Sequence, residues 1–249
     1  MEEQNKTEEL HLRLYGDSLA LPRKNYVANR ETYIYLLKQW LLSNSSADIN
    51  VINRSRANST VKYAYNFHVD DNSYFEINNS DILIIHVGVC DSAPRPLPLW
   101  IRDIIAKLHW KLRRTVIRFL HNNRRRMIRS GFRFVNVSQP DFEKLWNEFL
   151  NAAIKISSRI YVINIAPTNS KTEFHSPGFS TNIQLYNDII SNTLKKISSD
   201  KIFLIDIYDL INRSKNIDEY ITPEDGHHIT ARTHELIYEQ ILLVEKRYH

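Results

Sequence analysis

A chain of 249 residues, 43% hydrophobic and 24% charged, has the composition of an ordinary globular protein, which excludes collagen-like and low-complexity classes. A single cysteine excludes an internal disulfide and any multi-cysteine zinc site, and no stretch of 18 apolar residues offers a membrane-spanning helix. The net charge of +5 is unevenly spread: eleven Lys/Arg against the one acid Asp103 make residues 102–133 a +10 segment, leaving −5 for the rest.

In chain order, the polar start Met1-Glu2-Glu3-Gln4-Asn5-Lys6 is unlike a secretory signal, and a cytoplasmic protein is expected. Five short runs rich in Ile, Leu and Val read as buried strands: 10–15, 49–52, 82–87, 159–165 and 201–207. Between them the spacing predicts helices over 26–42, 99–122, 141–157, 181–197 and 230–246. Apolar strands alternating with helices indicate an α/β chain, a parallel sheet covered on both faces. No linker rich in Pro, Gly or Ser divides it, so residues 1–249 are expected to form one domain, with a basic helical segment at about 99–133.

Ligands of such sheets sit beyond the carboxyl ends of the strands. The segments there are Gly16-Asp17-Ser18-Leu19, Asn53-Arg54-Ser55-Arg56-Ala57-Asn58, Gly88-Val89-Cys90-Asp91 and, before the last helix, Asp225-Gly226-His227-His228. Three of the five glycines of the chain fall in these segments, where backbone must turn sharply or approach a ligand closely. A serine hydroxyl after a strand becomes a nucleophile once a base takes its proton. His228 can be that base and Asp225 the carboxylate that fixes its tautomer. Read separately, Gly-Asp-Ser is a common turn, and a double histidine can be a surface pair or half a metal site.

Leu14-Tyr15-Gly16-Asp17-Ser18-Leu19 resembles the GDSL motif of the SGNH-type serine hydrolases, and Asp225-Gly226-His227-His228 is similar to their Asp-x-x-His block. The resemblance runs the length of the chain in the same order. It implies a three-layer α/β/α sandwich with a five-stranded parallel, flavodoxin-like sheet. It also implies a Ser18–His228–Asp225 triad, a seryl acyl-enzyme, and no cofactor or metal. The implied oxyanion donors are Ser18, Asn58 in place of the usual glycine, and Cys90 in place of the usual asparagine. The middle blocks therefore depart from the pattern, and a thiol is a weak donor. Arg95, and beside it Asp91, are candidate substrate-binding residues, although Asp91 also reads as a residue that holds its loop and Arg95 as a surface arginine. His86, inside a strand, reads as a core histidine.

The implied activity is hydrolysis of a small ester, acetyl by resemblance, on a small molecule or glycan. Two alternatives stay open: an O-acyltransferase acting on a glycan or carrier, and a weakened relative that binds a glycan or partner. For the basic segment 102–133 the readings are a solvated helix face, a platform for an anionic partner, and a membrane-surface element. Nucleic acid is the least favoured partner, because no binding motif accompanies the charge.

Overall fold

The computed structural model describes residues 9–74, 80–214 and 216–248; the polar start of the chain lies outside them. Five strands form one parallel sheet: β1 (Glu9–Gly16), β2 (Asp48–Asn53), β3 (Ser80–His86), β4 (Ser157–Ile163) and β5 (Ile202–Ile205), in the order β2-β1-β3-β4-β5. The central strands are near-continuous apolar runs because both their faces are covered. Leu12 and Leu14 of β1, Ile82 to Ile85 of β3 and Ile160 to Ile163 of β4 are all fully buried. Edge strand β2 alternates exposed and half-buried residues, as a strand covered less completely does.

The main covering helices are α1 (Tyr33–Asn44), α2 (Val61–Tyr74), α6 (Gln139–Ile156), α8 (Phe179–Ile197) and α10 (Ala231–Glu245). α1 packs against α10, and α6 lies between α2 and α8, which makes the three-layer α/β/α sandwich expected. The remaining helices are the short α3 (Val89–Ser92), α4 (Leu99–Lys107), α7 (Ser170–His175) and α9 (Ile207–Asn212), and the 20-residue α5 (Trp110–Arg129). The start of α6 shows why its boundary was readable. The Ser138 hydroxyl accepts the Asp141 N–H, and Pro140 occupies the first turn, where a missing N–H costs nothing.

Two expectations need correction, and one helix has no counterpart among them. The single helix over 99–122 is two helices, broken where Leu108 and His109 take extended conformations with ψ of 151° and 139°. No proline or glycine marks this break; the turn lets α5 fold back along α4. The first helix begins at Tyr33 rather than residue 26, because 23–27 close a tight turn and Asn29–Glu31 form a 3-10 turn. α2 was not foreseen: its buried face runs Val61, Ala64, His68, Asp71, and the two polar residues interrupt the apolar period.

In the order 2-1-3-4-5 the strand direction of assembly reverses between β1 and β3, which opens a crevice at their carboxyl ends. Gly16 ends β1 there. A Cβ on it would lie 2.5 Å from Ser55 Oγ and 2.7 Å from the Ala20 Cβ, so its absence lets the loops after β1 and β2 meet.

Candidate active site

The loop after β1 is fixed by Asp17. Its buried carboxylate accepts the Leu19 N–H at 2.9 Å and, across the crevice, the Val89 N–H at 3.3 Å. Burial lifts this carboxyl to about 7. One residue on, Ser18 opens a 3-10 turn and faces the segment before α10. Ser18 Oγ lies 3.1 Å from His228 Nε2, and His228 Nδ1 lies 3.0 Å from Asp225 Oδ2, although Ser18 and His228 are 210 residues apart.

Asp225 is held from several sides. Its Oδ1 accepts the Thr222 hydroxyl at 2.8 Å and the His228 N–H at 3.1 Å, while Arg23 donates to Oδ2. Burial alone would raise this carboxyl. The hydrogen bonds from His228 and Thr222 outweigh it and hold the group well below the usual carboxylate range, so the imidazole faces an anion. Gly226 makes the turn possible: its φ is +68°, and a Cβ would sit 1.8 Å from Asn169 Oδ1.

Asp225, His227 and His228 are the one grouping among the described residues with metal-ligand geometry, each with an atom within 4.8 Å of the others. A cation on Asp225 Oδ2 would have to displace the Arg23 guanidinium. The His227 ring lies 4.2 Å from that of His228; burial and the neighbouring His228 lower its pKa to about 4, so it stays neutral.

Asn58 and Cys90 line the same cavity of about 620 Å³ as Ser18 and His228. Asn58 has φ +63°, a left-handed conformation that asparagine tolerates better than most residues. This accounts physically for Asn where the resemblance expects Gly. The Asn58 backbone N–H lies on the Cys90 side of the cavity and opposes the rise in the thiol's pKa. Burial, with Asp17 and Asp91 nearby, pushes the Cys90 thiol up to about 12, so it is not a thiolate nucleophile at neutral pH.

Arg95 lines the cavity. Asp91 does not: it is fully buried behind the wall, where its carboxylate accepts the Val61 N–H at 3.0 Å and burial raises its pKa to about 8. Its place is to tie α3 to the start of α2, and the substrate-binding reading is withdrawn. His86 is buried in β3, with Nδ1 3.1 Å from the Tyr33 hydroxyl, as a core residue. Sequence reading missed Arg23 and Thr222. Thr222 stands three residues before Asp225, a spacing that could have been noticed; Arg23 carries no local signal.

No protein-family model and no curated protein matches the sequence. Solved structures do. A lipase/acylhydrolase from Enterococcus faecalis superposes with TM-score 0.64 at 15% identity, covering 96% of each chain. A lipolytic protein of the G-D-S-L family from Veillonella parvula matches at 0.59 and 12%, over 96% of this chain and 99% of its own. An acetylxylan esterase from Geobacillus stearothermophilus matches at 0.57 and 11%, over 95% and 94%. The chain has the fold of the SGNH/GDSL-type proteins.

Proposed function

We propose that the protein is a serine esterase of the SGNH type that removes a small acyl group, acetyl in the first instance, from a glycan or small-molecule ester. The observation that carries this is the relay from Asp225 through His228 to Ser18, at 3.0 and 3.1 Å, opening into a cavity. The similar structures, which include an acetylxylan esterase and a lipase/acylhydrolase, support it.

In this reading Ser18 Oγ attacks the ester carbonyl as His228 Nε2 takes its proton. Asp225, acceptor to Nδ1, stabilises the imidazolium without accepting the proton itself. Negative charge gathers on the carbonyl oxygen beside the Ser18 and Asn58 N–H groups and Cys90. The intermediate collapses, the alcohol leaves with the proton from His228, and Ser18 stays acylated. Water, deprotonated by His228, then attacks the acyl carbon and releases the acid and free Ser18.

A fluorophosphonate probe tests the reading. It should label the protein stoichiometrically, with loss of labelling in Ser18→Ala and turnover of p-nitrophenyl acetate in the unmodified protein. Absence of both, in folded protein, would instead favour the weakened binding relative.

A further inference from the structure

A second cavity of about 580 Å³ adjoins the first and shares Arg95, His121 and Arg124 with it. It lies between α4 and α5, the two halves of the basic segment. Its apolar wall includes Leu97, Ile105, Ile117 and Leu120, and four arginines reach it: Arg95, Arg102, Arg113 and Arg124.

Three of these arginines are anchored in place. Arg124 donates to Ser176 Oγ at 2.7 Å and to the Pro94 carbonyl at 2.5 Å. Arg102 donates to Asn136 Oδ1 at 2.6 Å, and Asn136 in turn donates to the Cys90 carbonyl. The backbone of Arg95 exchanges two hydrogen bonds with Phe134, at 2.7 and 3.0 Å. All these acceptors are neutral. Among the described residues none of the three guanidiniums forms an ion pair with a carboxylate, and Arg95 Nε is buried with no hydrogen-bond partner. Burial, reinforced by their mutual repulsion, lowers the pKa of Arg95 and takes that of Arg124 to about 10. Half-buried like charges without a counter-charge are costly to hold together unless something else completes the site.

We infer that this cavity is a subsite for a phosphate group carried by the ester substrate, with an apolar portion of that substrate lying along Leu97, Ile105 and Ile117. The inference rests on the esterase reading of Ser18, since the shared arginines join the two cavities. Phosphate fits better than carboxylate: a phosphomonoester brings up to two charges and three accepting oxygens, enough for the forked donors of several arginines. The phosphate can belong to a soluble molecule or to a lipid headgroup. Exposed Trp100, Ile104, Trp110 and Phe119 on the same helices make the lipid source worth a separate arm of the test.

Calorimetric titration of the full-length protein with inorganic phosphate, octyl phosphate and octyl glucoside reads the subsite without relying on turnover. Octyl phosphate should bind tighter than inorganic phosphate, and octyl glucoside at least tenfold more weakly than octyl phosphate. Arg102→Gln should weaken both phosphates at least tenfold, and Arg102→Lys should recover part of the loss. Should Arg102→Gln fail to fold by circular dichroism, the more exposed Arg113→Gln supplies the comparison. Octyl glucoside binding as well as octyl phosphate, or phosphate binding indifferent to folded arginine variants, would overturn the inference. Co-sedimentation with phosphatidylcholine vesicles, with and without phosphatidic acid, separates the sources: binding only to the phosphatidic acid vesicles assigns the lipid headgroup. Fluorophosphonate labelling without phosphate binding defeats this inference alone. Phosphate binding without labelling defeats the esterase reading and leaves an anion site.

Discussion

At the scale of single residues, two neighbours in the 225–228 turn make opposite commitments. His228 spans Asp225 and Ser18 with its two ring nitrogens. His227 turns its Nδ1 to the Asp225 carbonyl at 3.1 Å, and its burial keeps it neutral. His228→Ala should therefore abolish ester turnover, whereas His227→Ala should keep most of it; equal losses in kcat would refute the assignment. Cys90 is the other informative position. It lines the cavity beside Asn58, and a thiol adds little donor strength toward an oxyanion. Cys90→Asn should raise kcat/KM for p-nitrophenyl acetate, and a gain approaching tenfold corresponds to about 1.4 kcal/mol of transition-state stabilisation. A fall in activity with unchanged melting temperature would show that the cysteine leaves room for another donor, and Arg95→Ala, assayed beside it, examines the nearest candidate.

At the scale of elements, α2 is held to the sheet by a polar seam as well as by apolar packing. Asp71, 2% exposed, accepts the Tyr15 hydroxyl at 3.0 Å and a forked pair of bonds from Arg54, including one of 2.6 Å. Asp71→Ala strips both partners of their acceptor. Because water can still reach Arg54, the cost belongs near the lower end for a broken buried pair, about 3 kcal/mol. That should appear as a melting temperature lower by roughly 6–12 °C for a chain of this size; a change within 1–2 °C would show the seam to be energetically idle. The same seam explains what the sequence could not disclose. Runs such as Ile82–Ile85 announce buried strands by themselves, but a helix whose core face carries His68 and Asp71 does not announce itself by apolar period. The break after α4 is equally silent, since Leu108 and His109 are neither helix breakers nor turn formers. Ser18, Asp225 and His228 were legible because glycines stand beside them, Gly16 at the end of β1 and Gly226 in the turn before α10. Arg23 was not: its partner lies 202 residues away, and nothing around Leu21-Pro22-Arg23 differs from an ordinary loop.

Across the whole molecule, the interior keeps two sets of ionisable groups neutral, and their pH dependences oppose each other. Burial lowers His86 and His234 to about 3 and His68 to about 4; burial, with His228 nearby, lowers His227 to about 4. Unfolded histidines titrate near 6.5, so below that pH the unfolded chain binds more protons and stability falls progressively toward pH 3–4. Burial acts in the opposite sense on Asp17 and Asp91, raised to about 7 and 8. Their contribution is present in full below the unfolded value near 3.9 and is lost as pH rises through 7 and 8, where the folded state must ionise inside the protein. Between pH 4 and 6.5 the four histidines outweigh the two carboxyls, so stability climbs with pH; above 6.5 the histidine contribution is constant and the carboxyls pull it down. Urea midpoints measured from pH 4 to 9 should therefore pass through a maximum near pH 6.5. Asp17→Asn, which removes the ionisation but keeps an acceptor for the Leu19 N–H, should flatten the alkaline limb. A midpoint that rises steadily to pH 9 would mean that these carboxyls are ionised in the folded protein.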